Sequence, residues 1–201
     1  MKKRGFTLVE LLIVIALIGI LSVAVLSTIN PIEQANKAND SAKKNDSSEV
    51  LSAIERYYAT QYQYPWVAQN TGGTLTNDSE VGYDVSEIDV GICDADCDTD
   101  GILITSDELK AAFRKKSFLT ATLDVDKVYL YKAASSSSIY VCFIPKSRAF
   151  RTWSTSNPLW QLDFTGGVPS AMTQGTSADD CPVLGDTGWD SIDAACFLCV
   201  P

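Results

Sequence analysis

The 201-residue chain contains no histidine. Without an imidazole, catalysis by a Ser–His–Asp triad or by a histidine general base is excluded. The sequence also has no glycine-rich nucleotide-binding motif and no nucleophile-elbow serine. Its net charge of −9 disfavours nonspecific binding of nucleic acid, because phosphates are held by lysine and arginine. We therefore expect neither an enzyme nor a nucleic-acid-binding protein.

Lysine and arginine are also missing from two long stretches, residues 57–109 and 152–201. The first stretch carries eleven acidic residues and the second carries six. Between them, residues 110–151 contain nine basic residues and two acidic ones. An ordinary solvated surface can carry a run of charge, but separation this complete indicates bound cations or acid-to-base contacts between subunits.

The sequence does contain one long apolar run, residues 6–29, behind a basic head at residues 2–4. About 20 apolar residues are enough for a helix to span a bilayer core. The basic end is predicted to stay in the cytoplasm, with the rest of the chain on the outer side. The run contains one carboxylate, Glu10, and a charged group inside a membrane span indicates a functional site.

The N-terminus resembles that of type IV pilins and pseudopilins in its basic leader, Gly5, Phe6, Thr7-Leu8-Val9, Glu10 and the apolar run that follows. The resemblance implies that a prepilin peptidase cuts between Gly5 and Phe6 and methylates the new amine of Phe6. It also implies polymerisation with other pilin subunits by an inner-membrane assembly machinery. Glu10 of one subunit can then pair with the Phe6 amine of a neighbour. Removing one partner of such a buried pair costs about 3–5 kcal/mol, so the pair would fix the register of subunits.

Two simpler interpretations of the N-terminus are a plain signal anchor and a cleavable secretory signal in front of an unrelated exported domain. A secretory signal needs a small-residue cleavage site after its apolar region, and residues 27–31 provide a poor one. Glu10 would also have no purpose within an ordinary signal sequence. The pilin-like interpretation is therefore favoured.

The sequence predicts four segments: a cleaved leader at 1–5, a transmembrane and filament-core helix at 6–29, an amphipathic continuation at 30–64, and a globular head at 65–201. Asn30 and Pro31 are a good cap and first-turn residue, so the helix is expected to bend or restart there. Its apolar face consists of Val50, Leu51, Ile54, Tyr57, Tyr58 and Tyr62. The polar part before this face, residues 34–48, is expected to lie exposed or to pack polar faces in a filament.

Within the head, alternating patterns predict strands at 127–131, 139–144 and 160–164. A capping pattern at Thr105 predicts a second short helix over 106–116. The aromatic residues from Tyr62 to Trp66 are interpreted as a core anchor under the sheet, in preference to a ligand-binding box. The fold class is α+β, with a long N-terminal helix packed on an antiparallel sheet, as the resemblance to pilins implies. Residues 168–201 are expected to form an irregular tail.

Six cysteines occur, namely Cys93, Cys97, Cys142, Cys181, Cys196 and Cys199. In an exported domain an even number of cysteines indicates disulfides. Cys93 and Cys97 are close enough for a local bridge, and Cys142 is expected to tie down the tail through one of the last three cysteines. The resemblance to pilins supports a C-terminal bridge. The alternative is a zinc site formed by Cys93, Cys97, Cys196 and Cys199.

The acidic stretch contains a twelve-residue pattern of the calcium-loop type, residues 96–107. The predicted calcium ligands are Asp96, Asp98, Asp100, the carbonyl of Ile102, and Asp107. The segment resembles dockerin-like loops, with two departures: position nine is Ile104, which has no side-chain oxygen, and the last ligand is an aspartate. The alternative is a solvated acidic turn held by Cys93 and Cys97.

Taken together, these features predict a structural subunit of a type IV pilus or a pilus-like filament, with a possible role for calcium in the head. The alternatives within this class are a type II secretion pseudopilin and a minor pilin. An alternative of another class is a membrane-tethered, calcium-dependent adhesin or binding module. The predicted location is the inner membrane, crossed once with the head outside, followed by a surface or periplasmic filament.

Overall fold

The computed structural model describes residues 5–28, 30–70, 72–94, 97–155, 158–182 and 187–201, with only the backbone at 26–28 and 178. The chain divides into two compact units, of which the first ends at Ala35 and the second begins at Asn36. Each unit is described by itself. The architecture is α+β, with an apolar helix followed by a long helix and an antiparallel sheet, which confirms the predicted fold class.

The first unit is dominated by helix α1, Leu8–Thr28. This helix is apolar on all sides, and no residue from Leu8 to Val25 is buried. It is the one helix among the described residues that is long and apolar enough to cross a membrane. Helix α2, Pro31–Gln61, then begins anew, as the sequence predicts. Asn30 caps it, because its Oδ1 accepts the N–H of Glu33 at 3.2 Å.

In the second unit, the C-terminal half of α2 buries Val50, Ala53, Ile54 and Tyr57 in the core of the head. Residues at spacings of three and four fall on one face of a helix, which is why the sequence predicts most of this contact. Tyr62 differs from the prediction, because it is 80% exposed and lies beyond the end of α2 in a left-handed conformation with φ 57°.

The polar part of α2 also differs from the prediction, since Asp40 and Ser47 are buried. The Asp40 carboxylate accepts the backbone N–H of Lys146 at 3.0 Å and that of Ser147 at 2.7 Å. Ser147 precedes the short helix α5, Arg148–Arg151. A buried carboxylate is tolerated when backbone donors surround it, and here these donors fasten α2 to the head.

The sheet has six antiparallel strands in the order β1-β2-β3-β6-β4-β5. The strands are β1 Val81–Asp84, β2 Val128–Lys132, β3 Ile139–Phe143, β4 Leu159–Thr165, β5 Val168–Gln174 and β6 Phe197–Val200. Strands β2, β3 and β4 confirm the three strands predicted from alternation. The predicted irregular tail is wrong for β5 and β6, and β6 lies in the middle of the sheet between β3 and β4.

The predicted helix over 106–116 is also wrong. The chain forms a short helix, α4, at Ile102–Thr105 and a 3-10 turn at Ala111–Lys115. Asp107, with φ 61°, stops helical continuation between them. The hydroxyl of Thr105 bonds back to the carbonyl of Gly101 at 3.1 Å, so it does not cap a following helix.

All six cysteines form disulfides: Cys93–Cys97, Cys142–Cys199 and Cys181–Cys196. Cys142 and Cys199 face each other across the pair β3–β6, so this bridge fastens the last strand to the middle of the sheet. No cysteine is left as a thiol that could bind zinc.

At the corner where α2 ends, Tyr64 and Trp66 are 7% and 0% exposed, and Trp66 lies in helix α3, Pro65–Gln69. These two residues confirm the interpretation of a core anchor.

Candidate functional site

The N-terminal site begins in extended backbone before the first helix. Gly5, Phe6 and Thr7 have no helical structure, and Phe6 is 76% exposed. The Gly5–Phe6 peptide bond therefore lies in exposed, non-helical backbone. Residues 1–4, the rest of the expected leader, lie outside the described residues.

Helix α1 begins with a reciprocal capping box formed by Thr7 and Glu10. The Glu10 carboxylate accepts the Thr7 backbone N–H at 2.9 Å and the Thr7 hydroxyl at 2.7 Å. In return, the Glu10 N–H donates to the Thr7 hydroxyl oxygen at 3.2 Å. The pattern of threonine followed three residues later by glutamate is the sequence signature of this motif, and the sequence-based prediction overlooked it.

This geometry gives Glu10 a local task in addition to the one predicted for it. The carboxylate lies at the positive end of the helix dipole and satisfies a donor that would otherwise be unpaired in an apolar medium. Because Thr7 follows Phe6 directly, the same carboxylate lies near the place where cleavage would create a new amine. The arrangement can therefore hold a positive charge at the head of α1.

Glycine at position 5 is not required by the chain itself. A Cβ added to Gly5 would have no heavy atom within 4 Å. A requirement for glycine at this position would be explained by an enzyme that approaches the backbone closely.

We expect Gly5→Val to leave an uncut precursor, with cleavage reduced at least tenfold. The reason is that the added side chain collides with the peptidase and not with this chain. The precursor-to-mature ratio on a denaturing gel measures the effect. Gly19→Val is a matched control, because Gly19 also has no neighbour within 4 Å and lies inside α1. Normal maturation of Gly5→Val would contradict the assignment of this bond.

The predicted calcium ligands are only partly brought together. Asp96 lies outside the described residues. Asp100 pairs with Arg114, whose Nε lies 2.7 Å from Oδ1, and Arg114 also donates to the carbonyls of Cys97 and Asp98. A guanidinium thus occupies the acidic turn.

Of the remaining predicted ligands, the Ile102 carbonyl is engaged within the chain, and Asp98 and Asp107 are exposed. Ile102 opens α4, and its carbonyl accepts the N–H of Ser106 at 3.0 Å. The nearby Asp94 carboxylate accepts the N–H groups of Asp98 and Thr99 at 2.9 and 3.2 Å. The hydrogen bonds from Thr99 hold the pKa of Asp94 below its ordinary value. Within the described ranges, no group of three or more acidic or cysteine side chains could hold a metal ion.

The separated charge blocks meet inside the head. Acids of the first stretch pair with bases outside it, as in Asp100–Arg114, Asp84–Lys127 and Glu108–Arg56. The separation along the sequence therefore reflects which segments are neighbours after folding, and part of the acidic block is neutralised without any cation or second subunit.

Residues 1–26 match the prokaryotic N-terminal methylation motif. No curated protein and no solved structure matches the chain.

The match covers Gly5, Phe6, Glu10 and most of α1, which are the residues that form the site described above. The first 26 residues therefore carry a methylation leader like that of type IV pilins and pseudopilins.

Proposed function

We propose that the chain is a structural subunit of a type IV pilus or a pilus-like filament. In this proposal prepilin peptidase cuts between Gly5 and Phe6, methylates Phe6, and the mature chain assembles through α1. The observation that carries the proposal is the exposed apolar surface of Leu8–Val25 inside a methylation motif. Such a surface has to be covered, first by lipid and then by other subunits.

The energetics favour a role for Glu10 in assembly. Moving α1 from lipid into a bundle of identical helices changes its hydrophobic free energy little, because lipid tails are as apolar as leucine. Packing and polar contacts must then decide the register. Glu10 is the only charged residue of α1, so its pairing with a neighbour's Phe6 amine is the strongest available determinant.

The proposed topology follows from the same segment. The basic leader stays in the cytoplasm, α1 crosses the inner membrane, and the head lies outside, where its three disulfides are stable. The partners are prepilin peptidase, the inner-membrane assembly machinery and other pilin subunits.

Electron microscopy of fibres sheared from cells, followed by mass spectrometry of their protein, tests this proposal. We expect the chain to be a constituent of the fibres. If it is abundant, it is a major subunit, and if it is scarce, it is a minor pilin or a secretion pseudopilin. Its absence from every fibre fraction, together with retention in the membrane, would contradict polymerisation and favour a membrane-tethered binding module.

Calcium binding by the head is a second proposal, which rests on the calcium-loop pattern of residues 96–107 in the sequence. Because Arg114 occupies the turn, calcium must displace it. A ligand present at 100 times its dissociation constant stabilises the folded state by about 2.7 kcal/mol.

We expect millimolar calcium to raise the melting temperature of the chain. The rise should be larger in Arg114→Gln, which removes the competing cation, and should vanish in Asp98→Ala. Calorimetry with calcium and with chelator measures it. If the melting curves with calcium and with chelator superimpose, both for the natural chain and for Arg114→Gln, the turn binds no calcium. The calcium-dependent adhesin would then be the wrong alternative.

A further inference from the structure

Two cavities formed by described residues of the head differ in their chemistry. The larger, about 450 Å³, lies between the polar part of α2 and residues 117–126. Its charged groups are already satisfied by one another. Lys146 pairs with Asp126 at 2.6 Å, Lys116 pairs with Asp46 at 2.7 Å, and Lys43 donates to the Asp126 carbonyl at 2.9 Å. This cavity offers few unused groups for recognising a ligand.

The smaller cavity, about 140 Å³, lies where α2 ends, and one of its walls is aromatic. Tyr58, Tyr64 and Trp66 form a stack with ring centroids 4.5 and 4.6 Å apart and nearly parallel planes. The inner two rings are buried, whereas Tyr58 is 37% exposed at the outer end. The stack holds Tyr58 rigidly, so its ring forms a preorganised platform.

The opposite wall is polar, and three of its side chains, those of Asp78, Ser135 and Ser137, are exposed. Among the described residues, the carboxylate of Asp78 and the hydroxyls of Ser135 and Ser137 make no hydrogen bond or ion pair. The wall is nevertheless held in place. Asn77 donates to the Tyr62 carbonyl at 2.9 Å, and the Ser135 N–H donates to the Asp78 carbonyl at 2.8 Å.

The charge of the site is negative or neutral on its open side. The nearest cation, Lys132, is fully buried, with its Nζ 5.8 Å from the centroid of the Tyr64 ring. Its ammonium donates to the carbonyls of Ser79 and Ala133, both at 3.3 Å. The Asp78 carboxylate interacts electrostatically with this buried ammonium. Lys132 does not line the cavity, so a ligand there meets a carboxylate and no lining cation, which disfavours phosphates and acidic sugars.

We propose that this cavity binds a neutral hexose residue. The C–H face of a pyranose ring is apolar and can pack on Tyr58, while neighbouring hydroxyls donate to Asp78 and exchange hydrogen bonds with Ser135 and Ser137. An aromatic surface with a few convergent polar groups is typical of a small-ligand site. The volume is suited to one sugar ring, so the natural ligand is the terminal residue of a glycan. The site lies in the head and does not depend on whether the chain polymerises.

Saturation-transfer NMR on the full chain tests the proposal. The chain is kept in lauryldimethylamine oxide, because maltoside and glucoside detergents would compete for the site. The probes are the methyl glycosides of glucose, galactose and mannose, with sialic acid as the charged comparison. We expect transfer to the ring protons of at least one neutral hexose and none to sialic acid.

Variants connect the signal to the cavity. Tyr58→Leu and Asp78→Asn should each weaken binding at least tenfold, while Tyr58→Phe, which keeps the ring, should retain it. Asp193→Asn is the control, since Asp193 is exposed and does not line the cavity. Transfer to no neutral hexose would overturn the proposal. Equal transfer to sialic acid, or a signal unchanged in Tyr58→Leu and Asp78→Asn, would also overturn it.

Discussion

Replacing Glu10 with valine should leave the chain in the membrane and abolish its assembly into filaments. Membrane insertion survives because valine makes the span more apolar. Assembly fails because the Phe6 amine of a neighbouring subunit would be buried without its counter-charge, at a cost of about 3–5 kcal/mol per subunit. A penalty of this size weakens the addition of each subunit by roughly 10²–10³-fold or more. Counting sheared fibres by electron microscopy measures the loss.

The glutamine variant separates the two tasks of Glu10. Glutamine can keep the hydrogen bonds of the capping box with Thr7, but it carries no charge. If the charge matters, Glu10→Gln assembles as poorly as Glu10→Val. If only the cap matters, which is worth about 0.5–2 kcal/mol, Glu10→Gln assembles normally. Normal filaments from both variants would contradict any role of this side chain in assembly.

Removing the Asp40 carboxylate should destabilise the head more than any other single change on the polar part of α2. Asp40 is 1% exposed and accepts the N–H groups of Lys146 and Ser147. In Asp40→Ala these donors lose a charged acceptor, and Ser147 is fully buried. We expect a loss of about 3 kcal/mol in the free energy of unfolding, because an unsatisfied buried donor costs about 1–3 kcal/mol and bonds to charged groups cost more.

Thermal unfolding of the full chain in detergent measures this effect. For a domain of this size, the melting temperature should fall by about 6–12 °C. Asn45→Ala is the matched control, because Asn45 is exposed on the same helix and the change alters helix propensity in the same direction. Equal melting temperatures for Asp40→Ala and the natural chain would show that the contact contributes no stability.

The sequence is most informative where the local pattern and the environment agree. The span of α1 follows from composition alone, and Asn30 and Pro31 start α2 as capping rules predict. The buried face of α2 follows from helical periodicity up to Tyr57. Periodicity does not indicate where a helix ends, so it assigns Tyr62 to the helix, whereas α2 ends at Gln61.

The two strands of the tail are not evident from the sequence, β5 because its composition is untypical of a strand and β6 because its partners are distant along the chain. β5 contains Pro169 and polar residues, and it pairs with β4 through a short turn. β6 has only four residues and is held between β3 and β4 by pairing and by the Cys142–Cys199 bridge. A segment so short has no periodicity that can be read. Tertiary context decides its conformation.

The contacts of the charged groups also depend on elements that are distant in the sequence. Counting acids and bases along the chain indicated an unneutralised block, but Arg114 comes from sixteen residues beyond Asp98 to reach the acidic turn. Asp40 lies in a polar stretch that resembles a solvated surface, yet it is the best-buried carboxylate among the described residues. Pairing between distant side chains cannot be derived from spacing, because it depends on how the elements pack.

The identity of the mature N-terminus tests the central claim most directly. Mass spectrometry of the intact chain, taken from membranes and from sheared fibres, reports where the polypeptide begins and whether its amine is modified. We expect a chain that starts at Phe6 and carries one methyl group on that amine. A mature chain that retains Met1, or one that starts after α1 as a secretory signal would leave it, would contradict the assignment of a prepilin.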